Sequence, residues 1–273
     1  MDTLKRTNFP VLDPSALSFD SKALGQLKVD CENQRPGDLT GTDCPKCKNK
    51  GVIWFSREDG SPFTRECDCM TIRRCVKKME DSGLKDVIRN YTFEKFQARE
   101  PWQKALLSSA RDYAKHPEGW FLICGQSGSG KTHLCTAICR ELLLQGRQVV
   151  YAAWRQEIAE IKGLALDADR RWDKVNQLKT APILYIDDLF KCGAGPDGEA
   201  RPTAADISLA FEILNARYVS RLKTIVSTEF LPDQLLNLDE ATGGRLIEMA
   251  GTNAFTIGKD PKRNYRLRDM IVL

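Results

Sequence analysis

The sequence predicts an α/β chain, a five-stranded parallel sheet wrapped by helices, preceded by a small cysteine-bearing module. Three observations carry this reading. Gly125-Gln126-Ser127-Gly128-Ser129-Gly130-Lys131-Thr132 directly follows the apolar run Trp120–Cys124 and fits the pattern G-x-x-x-x-G-K-[ST] in the strand–loop–helix setting it needs. From about residue 100 onward, short apolar runs alternate with helical patterns, as expected of parallel strands joined by right-handed crossovers. Upstream, Cys44-Pro-Lys-Cys47 and Cys67-Asp-Cys69 flank an alternating run with a turn in its middle, which reads as a hairpin carrying paired cysteines.

Bulk properties agree. A chain of 273 residues suits one full α/β domain plus a smaller module. Hydrophobic content of 42% with 29% charged residues describes an ordinary soluble protein. The net charge of +4 lacks the strong basic footprint of a dedicated duplex-DNA binder, while leaving room for local basic patches. No stretch approaches the length of a membrane span, and Met1-Asp-Thr-Leu-Lys-Arg6 lacks an apolar signal core, so no membrane role is expected. Ten cysteines beside a phosphate loop, without a secretion signal, point to reduced thiols in a cytoplasm.

In chain order, residues 1 to about 40 offer only short helix-like pieces such as Ser15–Leu27. The hairpin follows, with Val52-Ile-Trp-Phe55 and a turn at Glu58–Pro62, then a helix over Thr71–Gly83 closed by its glycine. The first module is bounded at 1–83 and the second at 84–273. Leu84–Gln97 leads into the second, with Tyr91, Phe93 and Phe96 as aromatic anchors. Strands are expected at Trp120–Cys124, Gln148–Ala153, Ile183–Asp187, Thr224–Thr228 and Ala254–Ile257. Helices are expected at Lys131–Gln145, Arg155–Lys162, Asp169–Lys179, Ala204–Leu222 and Pro232–Ala250. Thr203-Ala-Ala-Asp206 has the form of a capping box, with Asp where Glu or Gln is usual. Cys124, Cys135 and Cys139 fall within the apolar strand and helix around the loop and read as small core hydrophobes.

The chemistry gathers at the loop. Its glycines let backbone N–H groups point at phosphate oxygens. Lys131 would reach the β/γ phosphates, Thr132 would ligate Mg²⁺, and the helix dipole adds a positive end. Ile183-Leu-Tyr-Ile-Asp187-Asp188 is an apolar strand ending in two carboxylates, at the sheet edge where ligands of parallel sheets collect. Asp187 would hold Mg²⁺ and Asp188 would orient or activate the attacking water. Thr224-Ile-Val-Ser227-Thr228-Glu229 ends in polar groups at the same edge. Gly243-Gly244-Arg245 could present a guanidinium to a neighbour's nucleotide, and Lys262-Arg263-Asn-Tyr-Arg266-Leu-Arg268 is a basic tail within reach of phosphates or nucleic acid.

The cysteine pairs, nineteen residues apart, supply the four soft ligands a tetrahedral Zn²⁺ takes, with Cys31 and Cys75 as spare candidates. Four thiolates close the coordination shell, so the zinc would be structural and would hold together a module too small to build its own core.

Taken together, the phosphate loop, Leu184-Tyr-Ile-Asp-Asp-Leu-Phe-Lys191, Ala205–Tyr218, Thr224–Glu229 and Arg263-Asn-Tyr-Arg266 resemble phage and prophage DnaC/DnaI-type helicase loaders. The resemblance spans roughly residues 85 to 268, and the upstream cysteines resemble the N-terminal modules of DnaI-like loaders. It implies an AAA+ P-loop ATPase lacking a full helical lid, with the sensor strand between the strands that carry Lys131 and Asp187. It also implies ATP/ADP and Mg²⁺ as cofactors beside Zn²⁺, and a replicative DnaB-type helicase gripped by the N-terminal module and placed on single-stranded DNA. The ATPase domains would self-associate in a bacterial host cytoplasm. Gly125 to Thr132 and the adjoining His133 would bind nucleotide. Thr228 and Glu229 would form sensor 1, although relatives often have Asn or Asp where Glu229 stands. Arg245 would be the trans-acting arginine finger and Arg266 the sensor 2 arginine. Arg155–Lys179 leaves room for an extra helix whose Lys162, Arg170, Arg171 and Lys174 could line a DNA path. Three other readings compete: an IstB-type transposition helper, a P-loop kinase for a small metabolite, and an adaptor that binds ATP with little turnover.

Overall fold

The structure, a computed structural model, describes residues 21–40, 43–79, 90–192 and 201–267. It divides into two compact units, Met1–Met70 and Thr71–Leu273. The boundary expected after residue 83 lies outside the described residues.

In the first unit, helix α1 (Ser21–Gln34) precedes the antiparallel hairpin of β1 (Val52–Ser56) and β2 (Pro62–Glu66), paired from Val52 opposite Glu66 to Ser56 opposite Pro62. Asn33 docks the helix on the hairpin: its side-chain amide donates to the Trp54 carbonyl (2.9 Å) and accepts from the Trp54 N–H (3.0 Å), which satisfies part of the free edge of β1. At the hairpin tip a side chain on Gly25 would put its Cβ 1.8 Å from the Gly60 carbonyl oxygen, so only glycine allows this approach. Helix α2 (Cys69–Met79) begins two residues earlier than expected and runs across the unit boundary, and the helix end expected at Gly83 lies outside the described residues. Likewise α1 covers the later part of the expected Ser15–Leu27 helix and continues to Gln34, whereas 15–20 are not described.

The second unit opens with α3 (Pro101–Lys115) and continues β3 (Trp120–Gly125), α4 (Lys131–Leu144), β4 (Val149–Ala153), α5 (Trp154–Gly163), α6 (Ala168–Thr180) and β5 (Ile183–Leu189). Then follow α7 (Ala204–Val219), β6 (Lys223–Thr228), α8 (Pro232–Leu238), α9 (Glu240–Ala250) and β7 (Ala254–Ile257). The five strands are parallel in the order β4-β5-β6-β3-β7. β6 therefore lies between the strand that carries the phosphate loop and the strand that carries the aspartates. Side chains alternate along β3: Phe121 and Ile123 enter one core with α3 and α4, while Trp120, Leu122 and Cys124 enter the other with α5 to α9. Cys124, Cys135 and Cys139 are buried in these cores.

One expected helix is two. Pro232–Ala250 breaks at Asp239, whose extended backbone (φ −158°) ends α8 and whose carboxylate accepts from the Thr242 N–H (2.9 Å), capping α9. The predicted capping box is present: the Thr203 N–H donates to Asp206 (2.8 Å) and the Asp206 N–H donates to the Thr203 hydroxyl (3.3 Å). Burial opposes ionisation of Asp206, but Lys162 and Thr203 outweigh it and hold this carboxyl below its ordinary range. Arg217 of α7 is fully buried and staples the helix to the sheet, donating to the carbonyls of Leu178 (2.9 Å), Ala181 (2.8 Å) and Lys223 (2.5 Å) and to the Thr224 hydroxyl (2.9 Å).

Candidate nucleotide site

The segments that follow β3, β5 and β6 line one cavity of about 280 Å³, to which they bring Lys131, Thr132, Asp188 and Glu229. The loop after β3 is the arch that its glycines predict: Gly125, Gly128 and Gly130 take φ of 108°, 72° and 93°, backbone that L side chains rarely adopt. Lys131, at the start of α4, is buried, and its ammonium bonds the loop's own Gly125 and Gln126 carbonyls, both at 2.8 Å. Burial lowers its pKa, opposed by Asp188 and Glu229. A phosphate entering the loop would relieve that ammonium of its stand-in carbonyls.

Beneath the loop, Asp187 accepts the Thr132 hydroxyl (3.1 Å), the Tyr185 hydroxyl (2.7 Å), the Ser227 hydroxyl (2.7 Å) and the Tyr151 hydroxyl (3.1 Å). Burial, with Asp188 next door, raises the pKa of Asp187, and the hydroxyl donors work against that rise. A carboxylate and a hydroxyl in contact under a phosphate loop are hard oxygen donors of the kind Mg²⁺ takes, so Thr132 and Asp187 fit the ion.

Period-two alternation alone would send Asp187 and Asp188 to opposite faces. A one-residue bulge intervenes: Ile186 pairs with Val226 but Leu189 pairs with Thr228. Asp188 sits there with φ 54°, its N–H taken by the Ser227 hydroxyl (3.0 Å) rather than by the ladder, and its carboxylate lines the cavity. Lys191 returns to it, donating to Asp188 Oδ2 (2.7 Å) and to Glu229 Oε1 (3.3 Å). Glu229 also lines the cavity. Burial opposes its ionisation, yet Ser127 and Lys191 hold its pKa below the usual value.

The opposite wall is aromatic. His133 stacks on Tyr91 (ring centroids 4.4 Å apart, planes within 4°), meets the edge of Phe96, and bonds the Thr92 carbonyl at 2.8 Å; burial lowers its pKa, so the ring is neutral near pH 7. The C-terminal segment closes over the loop. The Tyr265 N–H donates to the Gly128 carbonyl (2.8 Å), its hydroxyl donates to the Gln97 carbonyl (2.6 Å), and the Gln126 side chain pairs with the Asp260 backbone. Arg266 follows at the cavity wall.

Four expected residues, Thr228, Arg245, Lys162 and Lys174, stand elsewhere. Thr228 is buried, and its hydroxyl donates to the Leu189 carbonyl (2.9 Å) instead of lining the cavity; the hydroxyl that serves the aspartates is the neighbouring Ser227. Arg245 lies outside the cavity of its own chain, its guanidinium over the rings of Phe211 (5.0 Å) and Tyr218 (5.4 Å). In the helix pair α5–α6, Lys162 is paired with Asp206 (2.5 Å) and Lys174 with Glu157 (3.2 Å), so two of the four cations expected on a DNA path are committed within the unit. Arg170 and Arg171 remain exposed beside an exposed Trp172. Arg268 lies outside the described residues. Residues that the sequence reading missed are Tyr151, Tyr185, Ser227, Tyr265 and the role of Lys191.

In the first unit Cys44, Cys47, Cys67 and Cys69 bring their sulfurs within 4.8 Å of one another, with 3.7 Å from Cys44 to Cys67 and 3.5 Å from Cys47 to Cys69. Four sulfurs at a Zn–S distance of about 2.3 Å lie roughly 3.8 Å apart, so the four thiols fit zinc. Burial works against the Cys47 thiolate, but the Gly51 N–H (3.3 Å) and the neighbouring thiols bring its pKa down to about 7. The turn that aims the first pair passes through left-handed Lys48 and Asn49, and Asn49 accepts from the Cys44 N–H (2.9 Å). The spare candidates stay outside the cluster: Cys31 is exposed, and Cys75 packs in an apolar core.

A phosphate loop, an acidic strand and a third strand inserted between theirs give an AAA+-like P-loop fold, with a four-cysteine cluster earlier in the chain. Among solved structures, the crystal structure of the DnaC helicase loader superposes with a TM-score of 0.52 at 20% identity, covering 63% of this chain and 98% of that one. A DNA replication initiation factor superposes at 0.50 and 18% identity, covering 66% and 53%. No family model matches the chain. In sequence it is 28% identical to the phage-like element PBSX protein XkdC of Bacillus subtilis, over 91% of this chain and 95% of that protein. It is 30% identical to the replicative helicase loader DnaC of Escherichia coli K12, over 50% of this chain and 58% of the loader. The chain is thus similar to proteins named DnaC over half its length, and its similarity to a phage-like element protein runs nearly end to end. Among the described residues no helix is long and apolar enough to cross a membrane.

Proposed function

We propose that this protein is an ATP-dependent loader that binds a replicative DnaB-type helicase and helps place it on single-stranded DNA. The observation that carries the reading is one cavity lined by the Lys131 loop, the bulged Asp188 and a Thr132 whose hydroxyl contacts Asp187 behind it, in a chain similar to proteins named helicase loaders. In this reading ATP lies along Gly125–His133, with its base toward Tyr91 and its γ-phosphate toward Lys131. Thr132 and Asp187 would hold Mg²⁺, which neutralises charge on the β and γ phosphates when bound. Asp188, turned into the cavity by the bulge, accepts a proton from the attacking water or orients it. Glu229 and Arg266 face the same phosphate region. Arg245 would serve a neighbouring subunit after leaving its aromatic rest position, which makes self-association part of the reading. The cysteine module, residues 1–83, would take the helicase, and Arg170, Arg171 and Trp172 would meet the DNA.

A metabolite kinase is disfavoured because Asp260–Arg266 already occupies the space over the loop. The test is phosphate release from ATP by wild type and by Asp188→Asn. The loader reading expects ATP binding within twofold in both proteins and a turnover loss of roughly 10² or more in the variant. Equal turnover in the two would remove Asp188 from the chemistry, and a phosphorylated small-molecule product would overturn the reading.

A further inference from the structure

We propose that Lys191 is a γ-phosphate ligand supplied by the nucleotide's own subunit, parked on Asp188 and Glu229 until ATP arrives. The proposal rests on the nucleotide reading above and deepens it.

The parking is built into the backbone. After the bulge the chain makes a tight turn in which the Lys191 N–H donates to the Asp188 carbonyl (2.9 Å). The third residue of that turn, Phe190, has φ 66°, a conformation normally left to glycine or asparagine. A bulky residue there carries backbone strain. The strain is held by packing: the Phe190 ring is buried, edge-on to Trp154 (5.8 Å) and to Phe230 (6.1 Å). Two left-handed non-glycine residues, Asp188 and Phe190, thus serve to bring residue 191 back over residue 188.

The lysine that arrives lines the cavity together with Lys131 and Thr132. Its ammonium stands between the carboxylate assigned to the attacking water and Glu229. An ionised carboxylate on the cavity wall has no donor to offer a phosphate and repels it. Lys191 resolves the conflict: Glu229 holds a cation, and the cation supplies the donors. The two carboxylates outweigh burial and raise the Lys191 pKa above its ordinary value, so the group is charged throughout the neutral range. When a γ-phosphate enters, its charge competes for this ammonium. Lys191 moves to the phosphate, and the Asp188 carboxylate is left free to accept from the attacking water. ADP has no group that reaches so far, so Lys191 distinguishes the two nucleotides.

The test is equilibrium binding of a non-hydrolysable ATP analogue and of ADP, each with Mg²⁺, to wild type, Lys191→Met and Lys191→Arg. Lys191 is partly exposed and anchors no core, so the variants retain the fold, and their ADP affinity is the control. The expected result is a wild-type preference for the ATP analogue that falls by roughly tenfold or more in Lys191→Met, as for loss of one charge-assisted hydrogen bond. ADP affinity should stay within twofold, and Lys191→Arg should keep most of the preference. An unchanged preference in Lys191→Met, or a parallel loss for both nucleotides, overturns the role of Lys191 and leaves the nucleotide site standing. Wild type that binds neither nucleotide overturns both.

Discussion

The two units reach order by opposite routes. The nucleotide unit has two apolar cores, one on each face of a five-stranded sheet, and its functional groups sit on strand ends that those cores fix. The cysteine unit has a buried cluster consisting of Cys47, Cys67 and Cys69, with Cys44, Ile53 and Met70 packed against it. Among the described residues, a helix docked by one asparagine and a hairpin of five pairs bury little apolar surface against chain entropy, and the four sulfurs fit a metal that would supply the difference. The difference teaches where each unit would be broken: one at a single ion, the other only through its packing.

The largest effect should follow chelation. Zinc binding to such sites contributes on the order of 10 kcal/mol, so stripping the metal, or Cys47→Ser, should unfold the hairpin while ATP affinity stays within twofold. Limited proteolysis would show new cleavage within residues 44–69, alongside a metal assay that reads one zinc per chain before treatment. An intact, protease-resistant module without metal would sink the contrast between the units.

The matching cut in the nucleotide unit is Arg217→Met. It leaves the carbonyls of Leu178, Ala181 and Lys223 without their donor in the core and should lower unfolding free energy by roughly 3–5 kcal/mol. Denaturant unfolding measures it, and zinc content should not change.

A smaller effect is expected at the α7 cap. Thr203→Ala should lose about 1 kcal/mol. Its partner Asp206 is held below the ordinary carboxylate range, so its contribution is complete above about pH 4 and declines as pH falls through and below that value. Acid titration of stability should therefore show a weaker decline in an Asp206→Asn variant than in wild type.

Legibility in the sequence followed the same division between local and tertiary causes. The phosphate loop, the paired aspartates and the cysteine pairs were readable because their chemistry fixes residue types at fixed spacings. The five strands were readable because both faces of a parallel sheet are buried and leave continuous apolar runs. The break at Asp239 left a local signal, an aspartate three residues before Thr242, that a continuous helical pattern hid. The bulge at Asp187–Asp188 left none, since no glycine marks the left-handed Asp188 or Phe190 and the conformation is held by partners distant in sequence. That Ser227, and not Thr228, meets Asp187 was hidden for the same reason: the bulge shifts register by one residue, and that decides which hydroxyl faces the aspartate. The engagement of Lys162 and Lys174 by acidic neighbours likewise became visible only once α5, α6 and α7 were packed.

The central claim is that nucleotide in the second unit governs the hold of the protein on a replicative helicase. Co-purification of the intact protein with a DnaB-type helicase, with and without ATP, with Lys131→Ala in place of wild type, and after zinc chelation, tests it most directly. The account predicts that the helicase is retained by wild type, that retention changes on adding ATP, that Lys131→Ala abolishes this nucleotide response, and that chelation abolishes retention altogether. No retention under any nucleotide condition, or retention indifferent to both ATP and zinc, would contradict it.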